Sequence, residues 1–299
     1  MTRATAVDGV SVRDGAGTSV EVTAVRDGAP APTAAAPAVV DCAAWLSAGR
    51  RPRLSVPLAP CPAPTRDGTG AGVRIALLDA PVDLAHPDLR GARVRTWAGP
   101  RCPEAPDGTF GTAGTGRTGR STSYATLLVG QGTAQVRGLV PAADLLVAPV
   151  LDCDGRWVDE VVARAVRWAM AGRAAVIVLP FGRHHLGRRV TTTLRASVAG
   201  GARVFAAAGD LGPDVLAFPA SVTGVVAVTG HDAIGLLPGC SLHADLAAPG
   251  HDVPAGGPDG LTLLQGTGAA AVLAAGAYAA QVTELTARWS GAPAGALVR

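Results

Sequence analysis

Lysine is absent. All 26 basic residues of this 299-residue chain are arginine, which matches the coding bias behind its Ala, Gly, Arg and Pro excess. Aromatic residues make up only 4% and charged residues 16%. That content, with 48% hydrophobic residues, excludes a disordered or fibrous chain. Charge of one sign is also lacking: a net +3 distributed along the sequence forms no basic stripe, so nucleic acid is not an expected partner. Cys42, Cys61, Cys102, Cys153 and Cys240 are odd in number, widely spaced and without a CxxC pair, which argues against a disulfide framework and a zinc site. No uninterrupted run of 18 apolar residues occurs, and MTRATAVDGVSVRDG at the start lacks the apolar centre of a secretion signal. The expected location is the cytoplasm, with no membrane contact and no cofactor or metal.

What is present begins with a composition boundary. Residues 1–68 carry PAPTAAAPA (30–38) and PLAPCPAPTRDGTG (57–70), both linker chemistry. Between them CAAWLSAGR (42–50) is a short helix candidate, and VSVRDGAGTSVEVTAV (10–25) alternates around DGAG as a hairpin would. The expected organisation is an N-terminal extension over 1–68, a main domain over 69–286 and a tail over 287–299. In the main domain VRIALLD (73–79), ADLLVAPV (143–150), AAVIVLPF (174–181), ARVFAAAG (202–209) and GVVAVTG (224–230) are continuous apolar runs of strand length. Such runs suit strands buried on both faces. Helical patterns at 158–170 and 189–200 intervene, and AAAVLAAGAYAAQVTEL (269–285) is apolar nearly all round, as a buried helix must be. Repeated β–α–β units give an α/β fold with a doubly wound parallel sheet flanked by helices, whose functional groups gather at the strands' carboxyl ends.

Asp79 lies at such an end, and a carboxylate there is costly unless something pairs with it. GDLG (209–212) closes a second strand, and GTG (266–268) opens the buried helix. Together with DAPVDLAHPDLRG (79–91), GLVPAADLLVAPVLD (138–152), VFAAAGDLG (204–212), FPASVTGVVAVTG (218–230), DLAAPG (245–250) and QGTGAAAVLAAGAYAA (265–280), these segments resemble the subtilisin-like serine peptidases in order and spacing, over roughly 70–285. The Asp-Ala-Pro-Val-Asp opening looks most like the subtilases of cyanobactin-type peptide maturation.

The resemblance implies an Asp–His–Ser triad and an Asn that helps hold the oxyanion. Carried over position by position, Asp79 keeps the triad Asp. The His position falls on Arg120 or, with a slip of one residue, on Ser121; the nucleophile becomes Gly268 and the oxyanion Asn becomes Asp210. Removing nucleophile or base alone costs such a triad about 10⁶ in turnover, a figure measured on subtilisin. Loss of the oxyanion donor costs a further factor of roughly 10²–10³. The substrate-binding strand, commonly Ser-Gly-Gly at its end, here reads Leu179-Pro180-Phe181-Gly182. Pro180 removes an N–H donor, and Phe181 is a candidate to fill the groove.

These departures imply a catalytically inactive pseudopeptidase that binds or scaffolds a peptide precursor, an active protease or a modifying enzyme in ribosomal-peptide maturation. Arg120 is the expected ion-pair partner of Asp79. The competing reading is an enzyme that reuses the pocket through Asp79, Asp210, Cys240 or a histidine. The acid-active sedolisin branch carries an Asp at the oxyanion position, but its helix-start Ser and its Glu/Asp pair have no counterparts here. His184-His185 reads as a solvated loop, His86 as structural, and His231, His243 and His251 carry no spacing signal. Cys240 beside His243 offers a thiol–imidazole pair, against which a lone buried cysteine is the simpler expectation.

Overall fold

The computed structural model describes residues 39–49, 52, 54, 58–61, 63, 68–99, 117–152 and 155–290, together with two short strands at 12–13 and 19–20; of 117–118 and 286–290 the backbone alone is described. Met1–Pro37 forms one unit, in which Val12–Arg13 pairs antiparallel with Ser19–Val20, within the stretch that reads as a hairpin. Ala38–Arg299 forms the other.

The second unit is built on eight parallel strands. In chain order they are β1 (Ala59–Pro60), β2 (Arg74–Asp79), β3 (Arg93–Thr96), β4 (Asp144–Pro149), β5 (Val176–Leu179), β6 (Arg203–Ala207), β7 (Val226–His231) and β8 (Leu246–Pro249). Across the sheet they run β1-β8-β7-β6-β5-β2-β4-β3. The five apolar runs all became strands, and alternation explains why they carry no polar face. Ile75, Leu77, Leu145, Val147, Val176 and Val178 point into one core, whereas Ala76, Leu78, Leu146, Ala148, Ile177 and Leu179 point into the other. Each fully buried Val, Ile or Leu contributes about 1.5–3 kcal/mol, so both faces must be covered.

The first core is covered by α1 (Cys42–Ala48), α2 (Arg117–Val129) and α5 (Thr267–Ser290), the second by α3 (Asp159–Ala171) and α4 (Arg188–Ala199). Small side chains let α5 lie close to the sheet, with Ala269 to Ala275 fully buried. The described residues between 39 and 61 belong to this body. Val40–Asp41 pairs parallel with Val136–Arg137, Asp41 caps α1 by accepting from the Ala44 N–H at 2.9 Å, and β1 is an edge strand of the main sheet.

Two anchors fix α2, the helix that matters most for the site. Its Thr126 hydroxyl donates to the Gly256 carbonyl and accepts from the Gly256 N–H, tying it to the ribbon formed by β9 (Val253–Gly257) and β10 (Gly260–Leu264). The return loop after α2 is gripped by Asp88, in the turn at Pro87–Leu89. Its buried carboxylate accepts from the N–H groups of Ala134, Gln135 and Val136 at 2.8–3.2 Å. His86 beside it is structural, as expected: Nδ1 accepts from the Asp88 N–H and Nε2 donates to the Gly257 carbonyl.

Candidate functional site

The carboxyl edge of the sheet brings together the end of β2, the first turns of α2, the loop after β6 and the start of α5. Asp79 is 5% exposed there. Its Oδ2 accepts from the Ser121 hydroxyl at 2.7 Å, and the same Ser121 oxygen accepts from the Ala80 N–H at 3.1 Å. Next along the helix, the Thr122 hydroxyl accepts from the Asp83 N–H at 2.9 Å, so the start of α2 clasps the loop 79–83.

This corrects the expected Asp79–Arg120 pair. Arg120 is exposed in the first turn of α2 and reaches the Tyr124 hydroxyl, and among the described residues no ion pair joins it to Asp79. The helix turns Ser121 inward, and its hydroxyl supplies one of the hydrogen bonds that the buried carboxylate needs. Arg120→Ala should therefore cost only about 0.5–1.5 kcal/mol, the worth of its hydrogen bond to the Tyr124 hydroxyl, and not the roughly 3–5 kcal/mol of a broken buried ion pair. Ser121→Ala, which removes a donor to Asp79 and an acceptor from Ala80, should cost about 1–3 kcal/mol. Thermal unfolding of the two variants separates the arrangements, because a charged pair would reverse the order.

One turn further along α2 lies a residue that the sequence reading missed. Tyr124 is 2% exposed, and its hydroxyl faces the start of α5. A Cβ placed on Gly268 would come within 2.6 Å of that hydroxyl oxygen and 2.7 Å of the Pro180 carbonyl oxygen. Both are well inside van der Waals contact, so Gly268 is the residue this packing permits. Burial pushes the Tyr124 phenol above its usual range, with Asp79 and Asp210 adding to the shift and a hydrogen bond from Arg120 opposing it. The phenol stays protonated at neutral pH and is no nucleophile. A tyrosine four residues after Arg120 shares its helical face, which is the one signal the sequence carries for it.

Asp210, in the loop after β6, is exposed. Its Oδ1 accepts from the Cys240 thiol at 3.2 Å, and its Oδ2 would stand 3.4 Å from a Cβ on Gly266. Burial, then the hydrogen bond to Asp210, pushes the Cys240 thiol up to about 11. At neutral pH this cysteine is a protonated donor. As the simpler expectation had it, Cys240 is a buried free cysteine and not half of a thiol–imidazole pair: His243 is exposed, and the Cys240 thiol donates to Asp210.

The strand end at 179–182 forms the neighbouring wall. Leu179 and Pro180 are buried, and the Phe181 ring packs at a tilt of 52° against Trp157, with centroids 4.7 Å apart. The Arg183 guanidinium covers the Trp157 ring at 4.6 Å and pairs with Asp159 at 2.5 Å. Gly182 and Gly209 face each other across the Ala217 methyl. A Cβ on either would meet that methyl at 2.8 or 2.6 Å, so the space between the two backbones is already filled. Ala217 carried no signal in the sequence. His184 and His185 are exposed in the loop that follows. Among the described residues no group of His, Cys, Asp and Glu is arranged to hold a metal ion, and no helix is long and apolar enough to cross a membrane.

Comparison with known proteins agrees with this geometry. The chain is 29% identical to subtilisin BL of Lederbergia lenta over 228 residues, covering 74% of this chain and 80% of the relative. Against the thermostable alkaline protease of Halalkalibacterium halodurans it is 27% identical over 188 residues, 62% of this chain but 49% of that protein. Among solved structures, a mutant form of the protease domain of PatA superposes with a TM-score of 0.65 at 26% identity, covering 74% of this chain and 82% of that one. The prenylagaramide maturation protease PagA gives 0.64 at 23% identity, covering 76% and 81%, a likeness of fold. The subtilase family model matches residues 70–297, and the chain belongs to the subtilase family.

Proposed function

We propose that this chain is a subtilase that no longer hydrolyses peptide bonds and acts as a binding or scaffolding component. Its partner would be a peptide precursor or a companion protease or modifying enzyme of ribosomal-peptide maturation, in the cytoplasm. The observation that carries the reading is the packing at Gly268. The position that the resemblance gives to the nucleophile holds no side chain, and the Tyr124 hydroxyl and Pro180 carbonyl occupy the space one would need. The two candidates for the His position are an arginine, which keeps its proton at neutral pH, and a serine already bonded to the Asp79 carboxylate. The oxyanion position carries Asp210, an anion where negative charge would develop. Cys240 and Tyr124 do not rescue the chemistry, because burial keeps both protonated.

Support for the peptide-maturation context comes from structural neighbours described as patellamide and prenylagaramide maturation proteases. The test is hydrolysis of a broad peptide library by the purified protein from pH 4 to 9, alongside fluorophosphonate labelling, with an active subtilase as control. No cleavage and no label are expected. Cleavage that survives repurification and disappears in Asp79→Ala would overturn the reading.

A further inference from the structure

Arginines that look scattered along the sequence converge in the fold. Arg164 and Arg167 on α3 and Arg188, Arg189 and Arg195 on α4 are all exposed, and the two helices pack side by side over the second core. Glu160 is the one carboxylate among them, because Asp159 is engaged by Arg183 and lies against Gly187 at the start of α4. Five arginines against one glutamate give this face a net +4, more than the +3 of the whole chain. Helix stability does not explain the pattern. Arg188 and Arg189 stand in the first turn of α4, where the helix dipole favours acids, and that helix has no acidic residue and no side-chain cap. Arg189 is compensated by its pair with Glu160, but Arg188 breaks the local rule with no ion-pair partner among the described residues, which points to a binding role.

The face already grips a carboxylate. Arg167 of α3 reaches Glu160 Oε1 at 3.2 Å while Arg189 of α4 holds Oε2, so one carboxylate bridges both helices and is held below its usual pKa, chiefly by Arg189. Beside it an open groove of about 360 Å³ runs past Thr192 and Thr193. Arg188 and Arg195 have no ion-pair partner among the described residues. At the same end of the pair, just ahead of each helix, Val158 is 64% and Leu186 73% exposed. Parallel strands on either side put both helix starts at one edge of the sheet, so aliphatic and cationic groups share one surface. That mixture fits a protein segment better than a polynucleotide, whose phosphates are met by cations and gain nothing from exposed aliphatic groups.

We propose that the outer face of α3 and α4 is a docking site for an acidic, aliphatic-containing segment of a partner protein, with Arg188 and Arg195 as its free anchors. The inference stands whether or not the cleft cleaves peptides. The test uses fluorescence anisotropy with a labelled 16-residue peptide of alternating Glu and Leu pairs, a Lys/Leu counterpart and a 20-nucleotide single-stranded DNA, in low and high salt. The acidic peptide should bind the full chain and weaken at high salt. Arg188→Glu with Arg195→Glu should lower its affinity at least tenfold, and the Gln versions should lower it less. Arg90→Glu with Arg95→Glu, the same charge change at exposed positions elsewhere, should leave it within twofold. Leu186→Ser should weaken the peptide without changing its salt dependence. No binding, equal losses in the two reversed variants, or tighter binding of the oligonucleotide would overturn the proposal.

Discussion

Gly268→Ser, the substitution that returns a hydroxyl to the start of α5, should give a protein that still cleaves nothing and is less stable than the parent. The new Cβ would arrive 2.6 Å from the Tyr124 hydroxyl oxygen and 2.7 Å from the Pro180 carbonyl oxygen. Neither neighbour is a flexible chain end: one is a buried ring, the other is backbone. Overpacking of this kind costs about 1–3 kcal/mol. Because nucleophile and base act as a unit, a serine without a histidine recovers almost none of the roughly 10⁶ in turnover that either one controls. Adding Arg120→His and Asp210→Asn should leave hydrolysis absent while Tyr124 stays in place. Removing the phenolic oxygen relieves half of the collision, so Gly268→Ser with Tyr124→Phe should be more stable than the sum of the single changes allows. Thermal unfolding of the four proteins in that cycle measures the coupling, and fluorophosphonate labelling reads the chemistry. Labelling by Gly268→Ser alone would show that the site is vacant rather than occupied, and the account of Tyr124 would fail.

The difference between a vacant and an occupied site is also the difference between what the sequence told and what it withheld. The parallel sheet was legible because Ile75 to Asp79 and its sister runs carry no polar face, which only burial from two sides explains. The buried α5 was legible from the same logic. Site positions at the strand ends followed from motif order. Pairings did not. Whether Arg120 or Ser121 meets Asp79 depends on the rotation of α2, and one residue on a helix turns a side chain by about 100°. Tyr124 was not singled out, since nothing in its spacing says that its hydroxyl ends against Gly268. The arginine face was invisible for a related reason. Arg167 and Arg189 stand 22 positions apart, and only the packing of α3 against α4 makes them neighbours around Glu160. Charge that averages to little along a chain can still concentrate on a surface.

Asp88→Ala should be the most damaging single change outside the cores, lowering stability by about 3–5 kcal/mol and the melting temperature by roughly 10 °C. The Asp88 carboxylate is 1% exposed and accepts from three backbone N–H groups in succession, those of Ala134, Gln135 and Val136. Truncation orphans all three at once, and each buried unsatisfied donor costs about 1–3 kcal/mol. Asp88→Asn is the sharper probe. Oδ1 still accepts from Ala134 and Gln135, but an amide NH₂ in place of Oδ2 would point donor against donor at Val136. Its cost should fall between wild type and alanine. The consequence reaches the cleft, because the loop that Asp88 holds is the return from α2, whose other end is held by Ser121 and Thr122. With the far anchor cut, α2 should exchange amide hydrogens faster along its length, and Tyr124 should lose its fixed place against Gly268. Hydrogen exchange that quickens in 131–137 alone would mean that the Ser121 clasp suffices to hold the helix. Exchange that quickens through 120–129 as well would mean that the plug in the cleft depends on a carboxylate in a distant turn.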